Sequence, residues 1–465
     1  MNPLFEWTDE QVRTALHVPP HEDCDLVFTG ISTDSRTTRE GNLFVALHGD
    51  NFDGHDYVSD ALGRGARGAV VARSVEADGA YVYSVEDTLL ALGQLAVYRR
   101  KHLDAVVVGI TGSSGKTGTK ELTRAAIEGS RRVHATPGNL NNRIGLPLTL
   151  LDTPDEAEVV VLEMGTNEPG EIAELTRIAE PQIGVVTTVS DTHVEKLKSL
   201  EGVLEEKLDL LRGLPDDGKA IVGEEPAILS EYAGRIPRHV LVVGLGTGAD
   251  AEYRPDNPSV DDQGCWSFVW RGEPVHLRVP GRHSVQNALL ALTVAELLDV
   301  PAAEAVAGVG QVEAGALRGE IRRIGGLTLI VDCYNANPQS LRAALDLLVD
   351  FEPGRTKVAV LGSMLELGAR SEELHRVLLG EASTLGFDLI VATGDFARPR
   401  EPGEDGPTTL SVVDPLEAYE ELRGRLAGDE VLLMKASRGV ALERLIPLFE
   451  NDFGGSNQAY GELEA

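Results

Sequence analysis

The residues best placed to do chemistry cluster where a strand gives way to a helix. A β-branched run, Val106-Val107-Val108-Gly109-Ile110-Thr111, ends in Gly112-Ser113-Ser114-Gly115, and Lys116-Thr117 opens a helical pattern. Backbone N–H groups in such a glycine turn converge on an anion, and the following helix adds the positive end of its dipole. Lys116 is placed to reach β- and γ-phosphates, and the Thr117 hydroxyl to bind Mg²⁺. The spacing Gly-x-x-Gly-Lys-Thr is shorter than the usual phosphate loop because Ile110 stands where its first glycine would be.

Three further positions carry chemistry of their own. Glu163 ends the apolar run Val159–Leu162, where a carboxylate emerging beside a phosphate loop is a natural Mg²⁺ ligand or, more plainly, a cap or surface acid. His193, in Ser190-Asp191-Thr192-His193-Val194-Glu195, is a candidate for a second metal or the substrate, or is polar surface. Lys207 is stranger. Leu200, Val203, Leu204, Leu208, Leu210 and Leu211 define one helical face, and Lys207 falls near its centre. An ammonium there must snorkel, pair with an acid, lose its proton or be chemically converted, for instance to a carbamate by CO₂. The amide-rich segment Thr136–Pro147, with Asn139, Asn141, Asn142 and Arg143, is either a multi-turn connection or a surface for a sugar-phosphate or peptide carboxylate.

These positions need a scaffold, and 465 residues are too many for one core. Residues 1–98 read as a small α/β domain with strands at 43–47 and 68–72 and a helix from Asp56 to Arg64. Residues 99–313 read as a larger α/β domain with strands at 105–110, 158–163, 183–189, 219–222 and 240–244, and an antiparallel edge within 249–282. Residues 314–450 form a third, with strands at 327–332, 357–361, 388–393 and 431–434, and 451–465 read as a disordered tail. Strands alternating with helices imply mainly parallel sheets, whose ligands bind beyond the carboxyl ends of the strands. The phosphate loop, Glu163, His193 and Asp332 all fall at such ends.

Composition narrows the function classes. The formal net charge is −32, and only nine of the 42 basic residues are lysine, none of them before position 101. That surface excludes nucleic acid and anionic lipid as partners; it is either a solubility device or an adaptation to high salt. No apolar run is long enough to span a membrane. Three scattered cysteines and an N-terminus without signal-peptide layout lead to the expectation of a cytoplasmic protein.

Taken in order, several segments resemble the Mur ligase family, ATP-dependent amide-forming enzymes of peptidoglycan precursor synthesis. They are Thr33–Arg36, Gly41–Leu47, Asp53–Asp56, Thr111–Thr117, Gly138–Asn142, Glu163–Gly165, the His193 loop, Lys207, His283–Asn287, Leu317–Glu320, Asp332–Pro338, Gly362–Gly368 and Lys435–Arg438. Tyr334–Pro338 and Met364–Gly368 favour the branch adding D-Ala-D-Ala to UDP-MurNAc-tripeptide over the third-residue-adding branch. The resemblance implies three α/β domains: a small N-terminal domain, a central P-loop-type ATPase domain with a mostly parallel sheet, and a Rossmann-like C-terminal domain. It implies ATP contacts at Gly112, Ser113, Ser114, Gly115, Lys116, Thr117, Asn287, Arg318 and Asp332. Substrate contacts are implied at Ser35, Asn139, Asn141, Asn142, Asn335, Asn337 and Ser363. Two Mg²⁺ ions are implied, one on Thr117 and Glu163, the other on His193 and Lys207, with Lys207 carried as the N-carboxylated form fourteen residues after His193. Lys116, His193 and Lys207 would be catalytic, in a monomer. Ser284 departs from the family's usual His-Asn pair. A folylpolyglutamate synthase-like ligase and a P-loop NTPase switch remain the other readings.

Overall fold

The computed structural model describes residues 5–20, 25–49, 51–77, 79–190, 194–397 and 409–454. The first domain comprises β1 (Trp7–Thr8), α1 (Asp9–Leu16), β2 (Val27–Phe28), β3 (Ile31–Ser32), β4 (Leu43–Val45), α2 (Val58–Gly63), β5 (Gly68–Val71), β6 (Tyr81–Ser84) and α3 (Thr88–Lys101). Strands β3-β4-β5-β6 form a parallel sheet, with β1 and β2 paired antiparallel beside it. The helix predicted from Asp56 begins instead as a 3₁₀ turn, Gly54–Tyr57, because the Asp53 side chain caps it early by accepting from the His55 N–H.

The predicted boundary at residue 98 falls inside α3, and the physical reason lies at the helix end. Arg99 and Arg100 are buried; Arg99 donates to the Thr153 carbonyl and Asp155, and Arg100 to the Ala179 carbonyl. Trp7, Val12, Leu92 and Leu95 share one core with Val107, Leu162, Leu204 and Leu208. The first domain is therefore seated on one face of the second.

The second domain continues with β7 (Val106–Thr111), α4 (Lys116–Glu128), β8 (Val133–Ala135), α5 (Gly145–Leu151), β9 (Val159–Glu163), α6 (Glu171–Ala179), β10 (Ile183–Val186), α7 (Val194–Leu197), α8 (Leu200–Arg212), β11 (Lys219–Gly223), α9 (Ala227–Ala233) and β12 (Val240–Val243). The sheet order β12-β11-β10-β7-β9-β8 is parallel throughout. Val107 packs into the core shared with the first domain, while Val108 and Ile110 pack into the opposite one. Covering on both faces is why the central strands β7, β9 and β10 are rich in Val, Ile and Leu, with no alternation of polar residues. The chain passes from β9 on one side of β7 to β10 on the other, so the carboxyl end of β7 opens on a crevice.

The antiparallel segment expected as an edge of this sheet is a separate three-stranded sheet, β13 (Asp256–Val260), β14 (Trp266–Trp270) and β15 (Glu273–His276). Helices α10 (Arg282–Leu297) and α11 (Ala302–Val309) return the chain across α4.

The third domain comprises β16 (Glu320–Ile324), β17 (Leu327–Asp332), α12 (Pro338–Asp350), β18 (Lys357–Leu361), α13 (Ser371–Thr384), β19 (Leu389–Ala392), β20 (Thr409–Ser411), α14 (Pro415–Arg423), β21 (Val431–Lys435) and α15 (Ile446–Phe453). Its sheet runs β16-β17-β21-β18-β19-β20, antiparallel only at β16. Residues 451–453, expected in the tail, instead complete α15, which Phe449 anchors in the core; residues 455–465 lie outside the described residues.

Candidate active site

Backbone geometry builds the phosphate loop. Gly112 has φ +149°, and a Cβ there would lie 2.0 Å from Thr187 Oγ1; Gly115 has φ +81°, and a Cβ there would lie 2.6 Å from Asn287 Oδ1. Both positions require glycine on two counts, torsion and space. Residues 187–190, just past β10, grip the loop. The Thr187 hydroxyl donates to the Ser114 carbonyl (2.5 Å), the Ser113 N–H donates to the Thr188 carbonyl (2.8 Å), and the Ser190 N–H donates to Ser113 Oγ (3.0 Å).

Lys116 folds back over this loop, Nζ donating to the Gly112 carbonyl at 2.7 Å. Its pKa is lowered, chiefly by burial, with Glu163 opposing the shift and Arg318 adding to it. Glu163 is the last residue of β9, next to β7, and is buried. Oε1 accepts from Asn141 Nδ2 (2.7 Å), while Oε2 is buried without a hydrogen-bond partner. An orphaned buried acceptor costs about 1–3 kcal/mol, more for a charged group, unless something meets it. A cation between Glu163 and Thr117, both of which line the cleft, would meet that acceptor. Among the described residues no group of three or more His, Cys, Asp or Glu side chains is placed to hold a metal, so hydroxyl and phosphate oxygens would have to complete its shell.

Lys207 is 1% exposed on α8. Its pKa is lowered well below the ordinary lysine value, first by burial and then by the Lys116 charge, against Glu206 and Glu171. Both carboxylates are also held by backbone N–H groups. Glu206 caps the start of α6 from outside, accepting from the Gly170 (2.7 Å) and Ile172 (2.8 Å) N–H groups, and Glu171 accepts from Asn167 N–H at 2.6 Å. His193 lies outside the described residues.

The amide-rich segment divides its labour. Asn141 holds Glu163, and its carbonyl accepts from Gly165 N–H at 2.7 Å. Asn142 Oδ1 accepts from Ile144 and Gly145 N–H, so that side chain caps the entry to α5; Asn139 is exposed on the cleft wall. Lys120, which the sequence reading passed over, anchors the segment to α4: buried, it donates to the Thr136 (2.8 Å) and Gly138 (3.3 Å) carbonyls. Its signal was in plain view, being one of only nine lysines and four residues after Lys116.

The facing wall comes from the third domain. Asp332 ends β17 and pairs with Lys435 at the end of neighbouring β21 (2.7 Å), and Lys435 also donates to the Asn335 carbonyl. The Arg318 guanidinium stacks over the Tyr334 ring at 3.8 Å. With Ser113–Thr117, Asn139, Asn141, Asn142, Glu163, His283, Asn287, Asn335 and Asn337, these residues line one cleft of about 1090 Å³. The His283 side chain is exposed at the cleft, and its pKa is lowered by the surrounding protein, with Lys435 adding to the shift and Asp332 opposing it. Ser284, at the departure from the family pattern, donates to the Pro280 carbonyl at 3.0 Å.

Two further expected contact residues do not line this cleft. Ser363 is buried and is not part of this cleft's lining, and its hydroxyl accepts from Asp395 N–H at 2.8 Å. Ser35 is nearly buried in the first domain, following Asp34, whose pKa is lowered to about 2 by its hydrogen bonds to Arg36; it stands apart from this cleft, in the domain expected to hold the UDP end of the substrate.

Comparison with known proteins gives a consistent result. Residues 27–100 match the family described as Mur ligase family, catalytic domain; residues 110–295 match the Mur ligase middle domain; residues 317–438 match the Mur ligase, glutamate ligase domain. The chain is 34% identical over 447 residues to UDP-N-acetylmuramoyl-tripeptide–D-alanyl-D-alanine ligase of Bacillus subtilis (strain 168), covering 94% of this chain and 96% of that one. A crystal structure of MurF from Acinetobacter baumannii superposes with a TM-score of 0.87 at 30% identity, covering 97% of this chain and 100% of that one. MurF ligase from Thermotoga maritima, in complex with ADP, superposes with a TM-score of 0.79 at 28% identity, covering 91% and 97%.

Proposed function

The chain belongs to the Mur ligase family, and we propose that it joins D-Ala-D-Ala to UDP-MurNAc-tripeptide, with ATP converted to ADP and phosphate. Family membership sets aside the P-loop switch. The observation that carries the reading is one cleft walled by the phosphate loop with Lys116 and Glu163 on one side and by Asp332, Asn335 and Asn337 on the other. Such a cleft brings a nucleotide held by the second domain against an acceptor held by the third.

A carboxylate is a poor electrophile, so the reaction needs activation. A carboxylate oxygen of the tripeptide attacks the γ-phosphorus of ATP, ADP leaves, and an acyl phosphate forms. The dipeptide amine then attacks the carbonyl carbon, gives up a proton, and phosphate departs from the tetrahedral intermediate. The amides of Gly112–Gly115 and the Lys116 ammonium hold the transferred phosphoryl group in line and offset its charge; Asn287 and Arg318 steady the rest of the nucleotide. The first domain, with Ser35, holds the uridine-diphosphate end. Asn139, Asn141 and Asn142 flank the tripeptide, and Asn335 and Asn337 face the dipeptide. Each of the three domains thus contributes one ligand's site, along the boundaries near 98 and 313.

Thr117 and Glu163 would hold one Mg²⁺, and His193 with a carboxylated Lys207 a second; when bound, these ions neutralise charge on the phosphoryl oxygens. Support for the carbamate is electrostatic. A neutral, buried Lys207 amine can attack CO₂, forming an N–C bond and releasing a proton. The anion produced would attract the Lys116 ammonium, the same charge that disfavours a second cation at position 207. The protein acts as a cytoplasmic monomer; no described helix is long and apolar enough to cross a membrane.

The test is ADP release by purified protein with Mg-ATP and UDP-MurNAc-tripeptide, with and without D-Ala-D-Ala, with mass spectrometry of the nucleotide product. Release dependent on both substrates, with UDP-MurNAc-pentapeptide formed by the wild type and not by Lys116→Ala, is the expected result. Acceptor-independent hydrolysis, or full activity in Lys116→Ala, would overturn the reading.

A further inference from the structure

Helix α12 lies across the central domain with both ends fastened to it. At its C-terminal end the Glu352 N–H donates to the Asp262 carbonyl at 2.6 Å. Nearby, a Cβ at Gly264 would lie 2.5 Å from Leu347 Cδ1, so the β13–β14 turn is in close contact with the helix. At its N-terminal end Asn337 is the helix cap, its Oδ1 accepting from Ser340 N–H. That leaves Asn337 Nδ2 to donate across the domain boundary to Ser114 Oγ at 3.0 Å. Two residues on, the Gln339 side-chain amide meets the Thr188 hydroxyl, with Nε2 at 2.8 Å and Oε1 at 3.2 Å from Oγ1.

These partners are not arbitrary surface groups. Ser114 is inside the phosphate loop, and Thr188 is in the segment 187–190 whose backbone grips it, the Thr188 carbonyl accepting from Ser113 N–H. Any movement of the third domain through α12 therefore pulls on the loop and on its support together. Both residues of the Gln339–Thr188 pair line the cleft that both domains enclose. A ligand touching both walls favours the docked arrangement, and by linkage the docked arrangement favours the ligand.

We propose that the Gln339–Thr188 pair is an interdomain latch that sets nucleotide affinity by holding the third domain on the phosphate loop. Gln339 is a positioning residue here, acting through Thr188. The inference rests on the cleft being the nucleotide site and is independent of the acceptor's identity.

The experiment measures binding of Mg·AMP-PNP by calorimetry in the full-length wild type, Gln339→Met, Thr188→Val, the double variant and Thr188→Ser. Small-angle scattering is recorded for each without ligand. Both single variants should bind at least ~5-fold more weakly, the scale of a modest coupling between sites. The double variant should be no worse than either single one, since both remove the same contact. Thr188→Ser, which keeps the hydroxyl, should restore affinity, and the two single variants should show a larger radius of gyration. Unchanged affinity and unchanged scattering in Gln339→Met would overturn the latch. So would additive losses, or failure of Thr188→Ser to restore binding. Wild-type binding of AMP-PNP tests the nucleotide site separately, and the ligand-free scattering tests the latch on its own.

Discussion

Replacing Lys207 with methionine should make the protein more stable while removing its activity, and the stability gain should vanish as pH rises. The side chain is 1% exposed, and the two carboxylates that oppose its shift, Glu206 and Glu171, also accept from backbone N–H groups of α6 and the turn before it. Burial and the Lys116 charge depress its pKa well below the ordinary value. In the unfolded chain the same amine returns to a pKa of about 10.4. Between the folded and unfolded values the unfolded state holds one more proton, so wild-type stability rises with pH there, by about 1.4 kcal/mol per unit. Below the folded value the penalty is full and constant; above the unfolded value it is gone. Methionine is close in volume and carries no proton, so the variant lacks this slope. Each kcal/mol moves the melting temperature by about 2–4 °C in a unit of 150–250 residues, which makes the slope difference about 3–6 °C per pH unit.

The assay is differential scanning fluorimetry of both proteins from pH 8 to 10 in CO₂-depleted buffer, then with added bicarbonate. Lys207→Met should melt higher at pH 8 and converge on the wild type toward pH 10. Bicarbonate should raise the wild-type melting temperature alone, because carbamate formation needs the amine. Parallel curves across the range would show that Lys207 is charged in the folded protein, and the argument from its burial would fail.

Other residues give sharper local tests. Glu163→Gln keeps an oxygen to accept from Asn141 but loses the charge of the orphaned Oε2. It should raise the Mg²⁺ concentration for half-maximal ADP release at least ~10-fold, the scale of a weakened metal site, without lowering the melting temperature. Gly115→Ala forces a Cβ to within 2.6 Å of Asn287 Oδ1 at φ +81°. The torsion alone costs about 1–2 kcal/mol, and displacement of the loop should cut ADP release by ~100-fold or more, with circular dichroism unchanged. Ser363→Ala removes the acceptor for Asp395 N–H, a loss of about 1–3 kcal/mol measured by denaturation. The same variant should leave the D-Ala-D-Ala KM unaltered; a large rise in KM would return Ser363 to the acceptor site.

What the sequence made legible follows from where local chemistry decides structure. The phosphate loop is local: β-branched residues demand a strand, glycines permit the torsions at 112 and 115, and Lys116 follows directly. The burial of Lys207 was equally readable, because helical periodicity alone places it among Val203, Leu204 and Leu211. Ser363 and Asn142 show the converse. Small polar residues at strand ends and turns serve ligands and backbone N–H groups equally well, and only the fold shows that Ser363 accepts from Asp395 N–H and Asn142 from Gly145 N–H. The helix that carries the chain past residue 98 was hidden for a related reason. Composition marks where a chain loops, but α3 is held by Arg99 and Arg100 bonding to carbonyls 54 and 79 residues away, contacts with no local signature.

The same distinction explains why Gln339 and Thr188 escaped notice while Lys116 did not. Neither residue is unusual for its position: a glutamine in the first turn of a helix and a threonine past a strand are ordinary choices. Their meaning comes from a separation of 151 residues closed to 2.8 Å. Groups that act on a ligand must be of particular chemical types, and those types show in a sequence. Groups that bring two domains together need only be complementary, so many pairs would serve. Swapping the two residues' roles, with Thr188→Gln and Gln339→Thr in one chain, should therefore retain much of the nucleotide affinity that either single change loses. Loss of affinity in the swapped chain equal to the sum of the single losses would show that position, and not complementarity, is what the latch requires.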